Sequence, residues 1–294
     1  MENDSSKPQK GTLEHRPLLI FVWAVLPIIA IFGVTIMSPT ASSTELIANQ
    51  SLIGLSLAQL ISVLIMLVIP ALLIAYIYKR KVLNFLNLLK APDPIHLLLG
   101  AILILSSNFF LNYLMDLNAM IPLSEALTNK FEGLQEATTE TQAFFLNFSG
   151  VTEFLIVFLT MAVAPALAEE MYFRGLLVGV LSDLKIGAFH VIFISSILFA
   201  MMHFQFYYLL PLLFMGALLG YVYYRTRNLW VSVFMHLLNN GLIVALTLSN
   251  KVELTQIDLE GNPPIYLSII GIIAFIGTLY YFHKRTEETS LPNS

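Results

Sequence analysis

Glu169, Glu170, Arg174, His203, His236 and Asn240 all stand inside long apolar stretches of the sequence. Ionisable groups in such places are costly, and each is a functional hypothesis until packing explains it. They fall in three short clusters: Glu169-Glu170-Met171-Tyr172-Phe173-Arg174, Phe199-Ala200-Met201-Met202-His203 and His236-Leu237-Leu238-Asn239-Asn240. Helical spacing organises each one. Glu170 and Arg174 are four apart, so they share a face and can pair to keep the local charge low. Glu169 then points to a neighbouring face without a cation of its own. Phe199 with His203, and His236 with Asn240, are also four apart and share a stripe. A carboxylate, two imidazoles and an amide converging in one cavity could hold and pass protons.

Taken singly, each group has an ordinary explanation. An intramembrane histidine often bonds a neighbouring helix, Glu170–Arg174 reads as a structural ion pair, and Asn239-Asn240 reads as interhelical glue. Packing explains their joint occurrence poorly. His96, His190 and His283 lie near span ends and read as interfacial. Asn108 and Asn112 share a face of the third span and read as structural, with lining the cavity as the alternative.

The elements that must position these groups are membrane helices. Of 294 residues, 57% are hydrophobic and only 12% charged, against roughly 25% in soluble domains. Apolar runs long enough to cross a hydrocarbon core of roughly 30 Å are expected near 17–37, 54–78, 95–115, 152–168, 188–204, 209–224, 229–248 and 265–282. The fold class expected is an all-α polytopic bundle of about eight transmembrane helices. The aromatic run Phe204-Gln205-Phe206-Tyr207-Tyr208 marks a tight, interfacial hairpin between two of them.

Cations set the orientation. With the N-terminus inside, Lys7, Lys10, Arg16, Lys79, Arg80, Lys81, Lys90, Arg174, Lys185, Arg225, Arg227, Lys284 and Arg285 fall on the inner side. Only Lys130 and Lys251 fall outside. Both termini are therefore expected in the cytoplasm, with Arg174 a weak vote because of its place in a span. The expected organisation is a cytoplasmic tail 1–16, a membrane domain 17–283 with a motif-bearing core at about 150–245, and a tail 284–294. The tail through Arg16 is too polar for a cleavable signal peptide, so the first span is expected to be retained. The outer segment 116–151 is acidic and Thr-rich, and reads as a loop or a short surface helix. With no cysteine, disulfides, thiolate metal sites and cysteine nucleophiles are excluded.

Depth tests whether the clusters can meet. If 152–183 is one helix turning near Lys185, Glu169 and His203 lie within roughly 3 Å of level at about 1.5 Å per residue. His236, only eight residues beyond Asn228, is shallower by roughly 15 Å on the same rise. Convergence then requires the Leu184–Ala188 turn to project farther into the cytoplasm.

The three clusters, in this order and spacing, resemble the motifs of the CPBP (Abi) intramembrane proteases, the prokaryotic relatives of the type II CAAX prenyl endopeptidase. The stretch from Gly216 through Gly220 and Arg225 to Trp230 has the same look, and the resemblance covers roughly 150–245. It implies proteolysis within the membrane. Glu169 would be the base that activates a water, and His203 would hold or share that water. His236 and Asn240 would donate to the oxyanion. Glu170 and Arg174 would be the supporting pair. The family is named as metalloproteases, and Glu169, His203 and His236 would be the ligands if the site holds zinc. A metal-free glutamate site without a cofactor is preferred, because Asn240 suits an oxyanion donor better than a zinc ligand.

Two other classes remain open: a proton-coupled transporter, and a non-catalytic membrane or bacteriocin-immunity protein. The His-x-x-x-Asn element separates them, since a proton relay has no need of an amide one turn from a histidine. The partners expected are the lipid bilayer and a membrane-protein or lipidated-peptide substrate, with no nucleic acid. The expected location is the cytoplasmic membrane of a prokaryote, with several passes.

Overall fold

The apolar runs become helices, and helices are the only regular structure among the described residues. The structure is a computed structural model describing residues 17–37, 50–251 and 263–287. The expected tail 1–16 and residues 288–294 of the C-terminal tail lie outside the described residues. In chain order the helices are α1 (Pro17–Met37), α2 (Leu52–Lys79), α3 (Val82–Phe85), α4 (Pro94–Ser107), α5 (Leu111–Ala119), α6 (Glu125–Leu146), α7 (Val151–Asp183), α8 (Ala188–Met202), α9 (Leu209–Thr226), α10 (Leu229–Lys251) and α11 (Ile265–Arg285). A single 3₁₀ turn, Phe206–Tyr208, joins α8 to α9.

Six helices are long and apolar enough to cross a membrane, and α4 with α5 makes a seventh if the bent pair is one span. The remaining expected span, α8, is apolar but has 15 residues, about 22 Å at helical rise. The chain is thus a polytopic helical bundle.

Local chemistry explains where the helices depart from regularity. Pro70 and Pro165 sit at the start of α-helical stretches that follow π-helical turns at Leu64–Val68 and Leu159–Val163. Proline has no N–H for the carbonyl four residues earlier, and a widened turn absorbs the mismatch. A longer π-helical run, Glu170–Val178, carries Glu170 and Arg174 and has no proline to account for it.

The expected third span, 95–115, is instead broken at 108–110, with a 45° bend between α4 and α5. Ser106 Oγ donates to Ile102 O (2.6 Å), Ser107 Oγ to Ile104 O (2.8 Å) and Asn108 Nδ2 to Ile104 O (2.9 Å). Three consecutive side chains bonding back onto the preceding turn compete with the helical ladder and end it. The outer segment 116–151, read as a loop or a short surface helix, holds the 22-residue α6.

Helix ends collect at two poles. Lys79 Nζ meets Asp183 Oδ2 at 2.9 Å, Lys90 Nζ donates to Thr226 O at 2.7 Å, and Arg225 donates to His283 O and Thr286 Oγ1. The C-terminal ends of α2, α7, α9 and α11 therefore share one basic pole. The other pole holds α5, α6 and the α8–α9 turn. Arg174 is fully buried, so it casts no vote on orientation.

With no native cysteine, the orientation is open to single-cysteine labelling. Glu132→Cys, exposed on α6, is expected to react with an impermeant maleimide added outside, and Arg80→Cys only after permeabilisation. External labelling at position 80 would refute the cytoplasmic assignment of the basic pole.

Candidate active site

Three helices meet around one carboxylate oxygen. Glu169 on α7 places Oε2 3.7 Å from His203 Nε2 and 3.9 Å from His236 Nε2. That oxygen is buried and has no hydrogen-bond partner among the described residues, although the side chain as a whole is 17% exposed. His203 is the C-cap of α8, and His236 lies in the second turn of α10.

The other ring nitrogens fix the tautomers. His203 Nδ1 lies 2.8 Å from Phe199 O. A carbonyl only accepts, so Nδ1 carries the proton and neutral His203 presents a lone pair at Nε2. His236 Nδ1 lies 2.9 Å from Glu170 Oε1. The same oxygen accepts from Arg174 Nη1 at 2.8 Å, so Oε1 is an acceptor and His236 Nδ1 donates to it. His236 Nε2 is then also a lone pair in the neutral ring, and it donates only after taking up a second proton. Three lone-pair atoms face one another, and what fits between them is a proton donor or a cation.

Support for this geometry comes from a buried ion pair. Glu170 and Arg174 have no exposed side-chain area. Arg174 Nη2 also donates to Gly216 O at 3.1 Å, and its guanidinium stands 4.5 Å over the Phe199 ring. Phe199 in turn lies 4.5 Å from the His203 ring and 6.0 Å from that of His236. Gly216 lets α9 approach α8 closely, since a Cβ there would fall 3.1 Å from Ser196 Cα and 3.3 Å from Phe199.

Asn240 is half-buried one turn beyond His236. Its Oδ1 accepts from Asn239 Nδ2 at 3.2 Å, and its Nδ2 lies 3.5 Å from Met161 O. Met161 is the residue whose carbonyl Pro165 leaves without its usual i+4 N–H. Asn240 thus has a packing partner as well as its place beside the cluster.

The sequence expectation that His236 lies shallower than Glu169 and His203 is not met, because both imidazoles face one oxygen. The π-helical run 170–178 contributes in small part: its i→i+5 turns climb less per residue and bring Glu169 nearer the Asp183 end of α7. The bond between Glu170 and His236 joins residues 66 apart in the chain, and spacing along one helix gives no signal for it. The arginine-to-Gly216 bond joins residues 42 apart and likewise has no signal in single-helix spacing. Of the other histidines, His96 is buried with its ring 5.7 Å from Phe282, while His283 Nδ1 bonds Tyr221 OH at 2.7 Å.

A family model described as type II CAAX prenyl endopeptidase Rce1-like matches residues 151–242, the stretch that carries all three clusters. The segment carrying the three clusters is thus similar to the Rce1-like family. Among curated proteins, the chain is similar to Bacillus subtilis YdiL, named "Putative membrane peptidase", at 32% identity over 116 residues. It is also similar to the "Membrane-embedded CAAX protease MroQ" of Staphylococcus aureus, at 30% identity over 113 residues. The two alignments cover 40% and 37% of this chain, and the chain spans 46% and 45% of those relatives' lengths. No solved structure matches the chain.

The donors of this cluster can be tested against zinc. Two imidazole Nε2 atoms and one carboxylate oxygen are zinc-type donors, and each imidazole has its Nδ1–H held by an oxygen, as metal-binding histidines do. The separations of 3.7 and 3.9 Å are wider than the roughly 3.3 Å between two ligands bonded at about 2.0–2.1 Å in a tetrahedron. No group of three or more His, Cys, Asp or Glu among the described residues is spaced to hold a metal ion as it stands. The residues fit zinc in kind, with a closure of a few tenths of an ångström required.

Proposed function

We propose that the protein is an intramembrane endopeptidase that hydrolyses a peptide bond with a water activated by Glu169. The observation that carries this reading is the buried, unbonded Glu169 Oε2 facing two imidazole Nε2 atoms. Glu169 takes a proton from the water as its oxygen attacks the scissile carbonyl. His203 accepts the water's second hydrogen at Nε2 and so aims the attacking lone pair. The proton on Glu169 passes to the leaving amine as the C–N bond breaks. Asn240 Nδ2 and, once doubly protonated, His236 Nε2 donate to the tetrahedral oxyanion. Glu170 holds His236 by Nδ1, and Arg174 holds Glu170 in place.

The substrate class proposed is a membrane protein or lipidated peptide reaching the site from the bilayer, at the cytoplasmic membrane of a prokaryote. Both curated relatives are bacterial, and one is named a CAAX protease.

A second reading keeps the same residues. Glu169, His203 and His236 would hold a zinc ion, which would supply Lewis-acid polarisation and a more acidic water. The convergence of three lone pairs favours it. Purified protein in proteoliposomes, presented with a library of membrane-anchored peptides, tests both. The glutamate mechanism predicts cleavage that survives strong chelation, with zinc well below one per chain. Cleavage lost to the chelator and restored by zinc would select the second reading, and absence of any cleavage would count against hydrolysis itself.

A further inference from the structure

His203 closes α8, and the chain turns at once: Phe204 has φ of 54°, a left-handed conformation uncommon for a residue with a side chain. Helix α8 therefore fixes His203 from one side only. The other side depends on residues 204–208, which lead into α9. What holds those residues comes from outside the Rce1-like segment.

Asn118 of α5 is 1% exposed. Its Nδ2 donates to Phe206 O at 2.9 Å, and its Oδ1 accepts from Leu210 N at 3.0 Å. Leu210 is the second residue of α9, whose first N–H groups have no partner within the helix. One amide side chain thus caps α9 from a neighbouring helix and ties down the carbonyl in the middle of the turn. Only an amide does both at this length, because one contact needs a donor and the other an acceptor. Phe131 of α6 stacks on Phe206 with ring centroids 4.6 Å apart, and Phe32 of α1 stacks on Phe204 at 5.7 Å.

We propose that Asn118, with Phe131 beside it, is a positioning residue for His203, so that the hydrolytic site is completed by the α5–α6 segment. The proposal rests on the reading of Glu169 and His203 as the water-activating pair. His203 Nε2 must stay within a few tenths of an ångström of its place beside Glu169, and a misplacement of about 1 Å can cost about 10²-fold in rate. Asn118→Leu leaves Phe206 O and Leu210 N without partners and frees the turn. Asn118→Asp is the milder variant: it still accepts from Leu210 N, so α9 stays capped, but it sets an acceptor against Phe206 O.

The absence of native cysteine allows a single nitroxide on Gln205→Cys, which reports the mobility of the turn without any substrate. In the otherwise native chain the label is expected to be immobilised. Asn118→Leu and Asn118→Asp should both sharpen its spectrum. With a peptide selected from the library above, kcat should fall at least about 10-fold, and up to the 10²-fold of a 1 Å displacement, while KM stays within about 2-fold. Phe131→Ala should shift both readouts in the same direction by less. An unchanged spectrum in both Asn118→Leu and Asn118→Asp overturns the proposal, as does a mobile turn with unchanged kcat. Glu169→Gln in the labelled chain separates the two ideas. If it is inactive while Asn118→Asp is fully active, only the positioning role fails; if it is fully active, the hydrolytic reading fails and the spectrum alone bears on the turn.

Discussion

Glu169→Gln is expected to lower peptide cleavage by about 10²–10⁴-fold, the usual contribution of a general base, while expression and membrane insertion stay at the wild-type level. Glutamine keeps the volume of glutamate and one oxygen, but that oxygen no longer takes up a proton. The contrast with stability follows from the contacts. Glu169 Oε2 has no hydrogen-bond partner to lose, and Arg174 bonds Glu170 rather than Glu169. Single-turnover cleavage in proteoliposomes, normalised to folded protein, gives the comparison.

Glu170→Gln behaves in the opposite way. Glu170 and Arg174 are wholly buried, and one oxygen of Glu170 takes hydrogen bonds from both Arg174 and His236. Removing one charge of a buried pair costs about 3–5 kcal/mol, because the other is left uncompensated. The expected result is loss of yield and of thermal stability in detergent, measured by size-exclusion profile against temperature. The double variant Glu170→Gln, Arg174→Met removes both charges and should recover much of the yield. Activity should not return with it, since His236 Nδ1 has lost its anionic anchor. A double variant restored in both yield and activity would mean that Glu170 acts only through Arg174.

Much of this site is legible along single helices. The i,i+4 pairs Glu170–Arg174 and Phe199–His203 appear in the structure as contacts, because residues four apart stay close to one turn apart, the first pair even within a π-helical run. The apolar runs marked the bundle for the same reason: their length and lack of charge leave few alternatives. What spacing does not encode is contact between helices. The Glu170–His236 bond and the Asn118 bracket join residues 66 and about 90 positions apart, and they depend on how helices cross. The break in the third span was legible in principle, through Ser106-Ser107-Asn108, but continuous hydropathy hid it. The π-helical run at 170–178 has no sequence mark, and the depth estimate for His236 took regular α-helical rise throughout.

The most direct measurement is a comparison of membrane-protein N-termini in two strains, one carrying the wild-type chain and the other Glu169→Gln at equal abundance. The account predicts one or a few new N-termini present only with the wild-type chain, with the matching uncleaved precursors accumulating in the variant. Identical N-termini and precursor levels in both strains would contradict it.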